Sequence, residues 1–204
     1  MGLLREVFGP SQKEVWSKLC SEIEADLVEG GFWRGNKVIA KVKEWTITLD
    51  TYTVSTGKTT VVYTRMRAPY VNKDTFRFKI YRKGIFSELG KLFGMQDIEV
   101  GFSNFDEDFI IKGNDTQRLK ELFSNPRIRE LIELQSQIFF EVKDDEGWFN
   151  TEFPEGVDEL YFQVVGIIKD VERLKTLYYL FTEVLNQLCI IGSAYEENPN
   201  INLK

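Results

Sequence analysis

Apolar positions along this chain change spacing several times, and each change marks an element. Trp16, Leu19, Cys20, Ile23 and Leu27 recur every three or four residues and predict a helix. Ser11-Gln12-Lys13-Glu14 ahead of them reads as a capping box, and Gly30-Gly31 offer a stop. From Lys37 to Lys83 the texture becomes β-branched and aromatic: Trp45, Ile47 and Leu49 point one way, Thr46 and Thr48 the other. This predicts a three-stranded antiparallel meander over about 37–53, 58–68 and 75–83, turning near Ser55-Thr56-Gly57 and Asn72-Lys73-Asp74.

A glycine-punctuated stretch, Gly84 to Gly94, reads as a short helix or loop before a strand at 96–101, and Phe105, Phe109 and Ile111 mark another extended segment. Asp115 is placed to cap a helix carrying Leu119, Leu122 and Phe123, and Pro126 suits the first turn of a second with Ile128, Leu131 and Ile132. Strands follow at 137–143, 147–153 and 158–168. Val171, Leu174, Leu177, Phe181, Val184, Leu188 and Ile191 then give the clearest helix, with Asp170 as cap and Gly192 as stop. The expected fold is α+β: an antiparallel sheet or sheets built from meanders, packed by an N-terminal helix, a middle helix pair and a long C-terminal helix. One domain over 1–204 is expected, with an apolar arm at 1–10 (Leu3, Leu4, Val7, Phe8) and a flexible tail at 195–204.

With 204 residues, 43% of them hydrophobic and 28% charged, the chain can bury a core without metal or disulfide support. Its longest apolar runs, such as Val164 to Ile168, fall far short of the roughly 20 residues that cross a bilayer. The N-terminal residues lack a secretory pattern, so a cytoplasmic protein, at most peripheral at a membrane, is expected. Cys20 and Cys189 lie among apolar residues and read as buried thiols in a reducing compartment. The complete absence of histidine removes the commonest general base and nearly all zinc and haem sites.

Motifs for catalysis are weak. Ser55-Thr56-Gly57-Lys58-Thr59 contains Gly-Lys-Thr, but a phosphate loop needs a glycine where Tyr52 stands. The same segment spells Ser-x-x-Lys without the supporting motifs of penicillin-recognising enzymes. Asp106, Asp108, Asp144 and Asp145 are the only acidic groups suited to carboxylate or metal chemistry, and solvated turns explain them more simply. No catalytic residue, metal ligand or cofactor is assigned.

A different kind of information comes from Gly84, Ile85 and Phe86; Glu99 and Val100; Phe105, Asp106, Asp108 and Phe109; Ile111, Gly113 and Asp115; and Asn125-Pro126 before Arg129, Leu131 and Leu134. On these residues the stretch from Gly84 to about 190 resembles an uncharacterised bacterial family of unknown function. The resemblance implies a shared α+β domain and brings no activity with it.

Charge is unevenly spread. Residues 58–91 hold nine basic residues against Asp74 and Glu88, a local +7 in a chain of net −6. Period-two alternation puts Tyr63, Arg65 and Arg67 on one strand face, and Arg77, Lys79 and Tyr81 on another. If these faces coincide, the sheet offers a basic, tyrosine-edged binding surface for an anionic membrane or an acidic protein. Nucleic acid is disfavoured by the sequence pI near 5.0. The competing expectation is that these cations pair with the acidic remainder of the same molecule. The function expected on this basis is a non-enzymatic binding or scaffold domain acting through strands 58–83. The alternatives are a carboxylate- or metal-dependent enzyme, or a structural subunit of a homo-oligomer.

Overall fold

The computed structural model describes residues 9–31, 35–55, 57–84, 96–144 and 153–203. The capping box forms at helix α1 (Gln12–Ile23): the Glu14 N–H donates to the Ser11 hydroxyl at 3.2 Å, and the Ser11 N–H donates to the Glu14 carboxylate at 2.9 Å. The helix ends before Gly30. Glu24 turns left-handed, the Ala25 N–H returns to the Cys20 carbonyl, and Leu27 enters a short strand, β1 (Asp26–Val28).

Residues 37–53 form two strands rather than one. β2 (Lys37–Val42) and β3 (Trp45–Ser55) are joined by Lys43-Glu44, with Val42 opposite Trp45 and Lys43 at φ 52°. The sequence hides this turn because neither residue is a usual turn former. The chain then makes the expected hairpin into β4 (Thr60–Asn72), with Ser55 opposite Thr60. The remaining strands are β5 (Phe78–Arg82), β6 (Gln96–Asp97), β7 (Phe109–Gly113), β8 (Phe139–Lys143), β9 (Val157–Val165) and β10 (Ala194–Tyr195).

All ten join one antiparallel sheet in the order β1-β2-β3-β4-β9-β8-β5-β7-β6, with β10 also on β4. The expected pairing of 58–68 with 75–83 is therefore incorrect, because β9 and β8 stand between β4 and β5. Alternation sets which way side chains point and is blind to which strand lies alongside. The strand expected at 96–101 is only Gln96–Asp97, and Phe105 sits in a short helix, α2 (Ser103–Asp108). The glycine-rich stretch beyond Gly84, most of 147–153 and the N-terminal arm to Phe8 lie outside the described residues.

The middle pair is α3 (Thr116–Ser124) and α4 (Pro126–Glu133), capped by Asp115 and Asn125, and the long helix is α5 (Val171–Ile190), capped by Asp170. One parity of strand residues, including Ile47, Leu49, Met66, Phe78, Phe140, Leu160 and Phe162, shares a single core with Trp16, Phe123, Leu131 and Phe181. Phe78 meets Phe123 and Phe140 meets Phe181 edge-on, fixing α3 and α5 against β5 and β8. The helices thus cover one face and leave the other parity to define the site. The C-terminal segment is tied down: Tyr195 pairs with Val71, Glu196 meets Lys43 at 2.6 Å, and the Leu203 carbonyl accepts from Lys37 at 3.3 Å.

At Gly113 a Cβ would come within 2.7 Å of Leu119 Cδ1 and 3.0 Å of the Arg77 carbonyl. Gly113→Ala is expected to cost about 1–3 kcal/mol by overpacking, read as a lower urea midpoint at unchanged slope.

Candidate functional site on the uncovered sheet face

Strand register lays one row of side chains straight across the face without helices. Thr48, Arg67, Tyr161, Glu141, Lys79, Lys112 and Asp97 stand opposite one another in succession on β3, β4, β9, β8, β5, β7 and β6. Parallel to it run Asp50, Arg65 and Gln163, then Tyr52 and Tyr63, and on the other side Pro69, Glu159 and Lys143.

Opposite charges meet within and between these rows. The Asp50 carboxylate accepts from Arg65 Nε at 2.5 Å and from Arg67 Nη2 at 2.7 Å. Glu141 lies 2.8 Å from Lys79 Nζ and 3.5 Å from Lys143 Nζ, and Asp97 lies 3.2 Å from Lys112 Nζ. The Tyr52 and Tyr161 hydroxyls both donate to Gln163 Oε1, at 2.5 and 3.0 Å. Arg65 lies over the Tyr52 ring, which stacks on Tyr63 with centroids 5.1 Å apart. Burial pushes the Tyr52 and Tyr161 hydroxyls above the ordinary phenol range. It pulls the Lys143 ammonium below its usual value, an effect only partly offset by Glu141 and Glu159.

The residues expected to bind an anion do share this face in part: Tyr63, Arg65 and Arg67 come from β4, and Lys79 and Tyr81 from β5. Arg77 precedes β5 and meets Asp144 at 2.6 Å and Asp158 at 3.5 Å. A water-facing basic plane is not what they build. The side chain of Arg67 is fully buried, those of Arg65 and Lys79 are 14% and 19% exposed, and Arg77 is 30% exposed. Tyr81 is buried beside Phe139. Cations at 65, 67, 77 and 79 all find carboxylates of their own chain.

Sequence reasoning missed Asp50, Glu141, Glu159, Lys143, Tyr161 and Gln163. Asp50 had a signal: it is the only charge between Trp45 and Gly57. A lone charge in a β-branched run is either exposed or partnered, and Asp50 is partnered.

The acidic groups fare differently. Asp106 accepts from the N–H groups of Val100, Gly101 and Phe102, each at 2.9 Å, so its oxygens hold a loop in place. Asp108 pairs with Arg82 and Asp144 with Arg77, at opposite ends of β5. That is about 16 Å of strand at about 3.3 Å per residue, beyond the Debye length of about 8 Å. Asp145 lies outside the described residues. Among the described residues no three His, Cys, Asp or Glu side chains gather as a metal site, no helix is long and apolar enough to cross a membrane, and both cysteines are free thiols.

Toward the end of the β3–β4 hairpin the same face turns apolar. Tyr52, Val54, Val61, Tyr63 and Val165 share it, with Val54 40% and Val165 57% exposed. No family model matches this chain, and no curated protein or solved structure is similar to it.

Asp50→Ala would leave two guanidinium groups, one fully buried, without their shared carboxylate. A loss of about 3–5 kcal/mol is expected in urea unfolding. For Lys143, whose folded value lies below 10.5, the unfolded chain holds more protons just below that pH, so its contribution to stability rises as pH increases through the window. Lys143→Met is expected to flatten that rise relative to the parent chain when unfolding is followed at successive pH values.

Proposed function

We propose that this chain is a non-enzymatic protein-binding domain that docks through the β3–β4 hairpin end of its uncovered sheet face. The observation that carries this reading is the inverted gradient along the face, whose charges at Asp50, Arg65, Arg67, Lys79 and Glu141 are buried or nearly so and internally compensated while Val54 and Val165 stand in solvent. An apolar patch rimmed by satisfied polar groups suits a protein partner. An anionic membrane or strongly acidic partner is less well served. Of the cations in strands 58–83, only Lys58, Lys73 and Lys83 are exposed and outside ion pairs among the described residues. The two free thiols fit a reducing compartment such as the cytoplasm.

The reading is tested with a photo-crosslinking amino acid placed in turn at Val54 and Val165, with exposed Leu134, just after α4, and Ile190 on α5 as controls. Protein adducts are expected at positions 54 and 165, lost on adding Tyr63→Glu, with no pelleting on phosphatidylserine vesicles. Equal adducts at all four positions, or none at 54 and 165, would overturn it. So would vesicle pelleting that survives Tyr63→Glu.

A further inference from the structure

Tyr63 is half-buried at the docking end, with one face of its ring stacked on Tyr52. The other face looks toward β9, where a backbone bridge places Gly166 beside Tyr63, between exposed Val165 and Ile167. Gly166 has φ 89°, a conformation that favours glycine, and a Cβ there would meet nothing within 4 Å. The ring of Tyr63 therefore borders an open shelf with aliphatic side chains along it.

Gln163 stands on the same face of β9, two residues before Val165. Its Oε1 accepts from the hydroxyls of Tyr52 and Tyr161, so Tyr52 ties the amide and the Tyr63 ring into one cluster. With the oxygen turned inward both phenol protons have an acceptor, whereas the reverse orientation would leave one of them without any in the protein. The Nε2 group is thereby aimed outward. Among the described residues neither it nor the Tyr63 hydroxyl has a partner. The neighbouring carboxylate is taken, because Asp50 receives both Arg65 and Arg67. Apart from the Tyr63 hydroxyl, which serves either way, the described side chains of this shelf present a ring face, aliphatic surface and N–H donors, with no spare acceptor.

Resting on the reading that this end of the face is a docking surface, we infer that its occupant is a proline-rich segment of the partner in the polyproline II conformation, laying a pyrrolidine ring on Tyr63 and a carbonyl on Gln163 Nε2. Hydrogen-bond complementarity singles it out. A helix uses its carbonyls internally, and a pairing strand brings an N–H for each carbonyl. A proline-rich chain has outward carbonyls without internal bonds and lacks an N–H at every proline, so it requires donors and supplies few. Its rings settle on aromatic surface, and its pre-set backbone loses little freedom on docking. Sugars, whose hydroxyl protons need acceptors, and phosphates, which need uncompensated cations, are poorly matched by the same groups.

Titration of the chain with an oligoproline peptide, followed by heteronuclear NMR, is the direct probe. Saturable shifts are expected at the Gln163 side-chain amide and at the backbone of Tyr63, Val165 and Gly166, with none for a glycine–serine peptide of equal length. Gln163→Glu keeps an acceptor for both tyrosines but removes the donor, and is expected to weaken binding about tenfold. Tyr63→Leu is expected to weaken it as much, while Tyr63→Phe keeps the ring and most of the binding. Circular dichroism checks that each variant is folded, and the parent chain's Gln163 amide shift remains decisive where one is not.

No saturable shift, an equal response to the glycine–serine peptide, or binding unchanged in folded Gln163→Glu and Tyr63→Leu would overturn the inference. Protein adducts at positions 54 and 165 from a chain that ignores oligoproline would sink the proline-rich occupant while leaving the docking surface in place. Absence of both adducts and peptide binding would remove the two together.

Discussion

Asp50 sits between the guanidinium groups of Arg65 and Arg67, and this shared carboxylate governs what the uncovered side of the sheet is able to be. Taking one charge out of water costs several kcal/mol unless an opposite charge meets it with good geometry. Arg67 is completely enclosed, so β4 has to bring it against β3 in a register where Asp50 is within reach. The same requirement recurs at Glu141, held between Lys79 and Lys143. A region that counts as strongly basic along the chain is therefore close to neutral in space.

Polarity runs backwards along β3 on this side. Thr48 and Asp50 are buried, Tyr52 is half-buried, and Val54 is the most exposed. In most sheets the solvated face is polar throughout. Here the polar residues form a compact, hydrogen-bonded interior, and apolar residues are left where neighbouring strands have ended. The arrangement separates a stabilising part of the face from one free to engage something else.

Much of the architecture was legible because it is written locally. Ser11 with Glu14, Asp115 and Asp170 all cap the helices they were expected to cap, and Pro126 takes the first turn it was expected to take. The long final helix was readable from its spacing alone. What escaped was non-local or atypical. Lys43-Glu44 turns the chain without turn residues, and Phe105 lies in a six-residue helix whose loop is held by Asp106. Nothing in the sequence around Arg65 or Lys79 announces that β9 and β8 will come between their strands. The face each residue occupies followed from parity, whereas its neighbours depended on strands far ahead in the chain.

That distance has a temporal side. β4 is complete at residue 72, yet β9, which shields its second edge and joins the two halves of the sheet, ends at residue 165. At a translation rate of ~5–20 residues per second the ribosome needs about 5–20 s to supply it. Throughout that interval β4, rich in valine and tyrosine, has β3 on one side and an open edge on the other. Until then that open edge is a template on which the amino-terminal half can pair with a wrong strand.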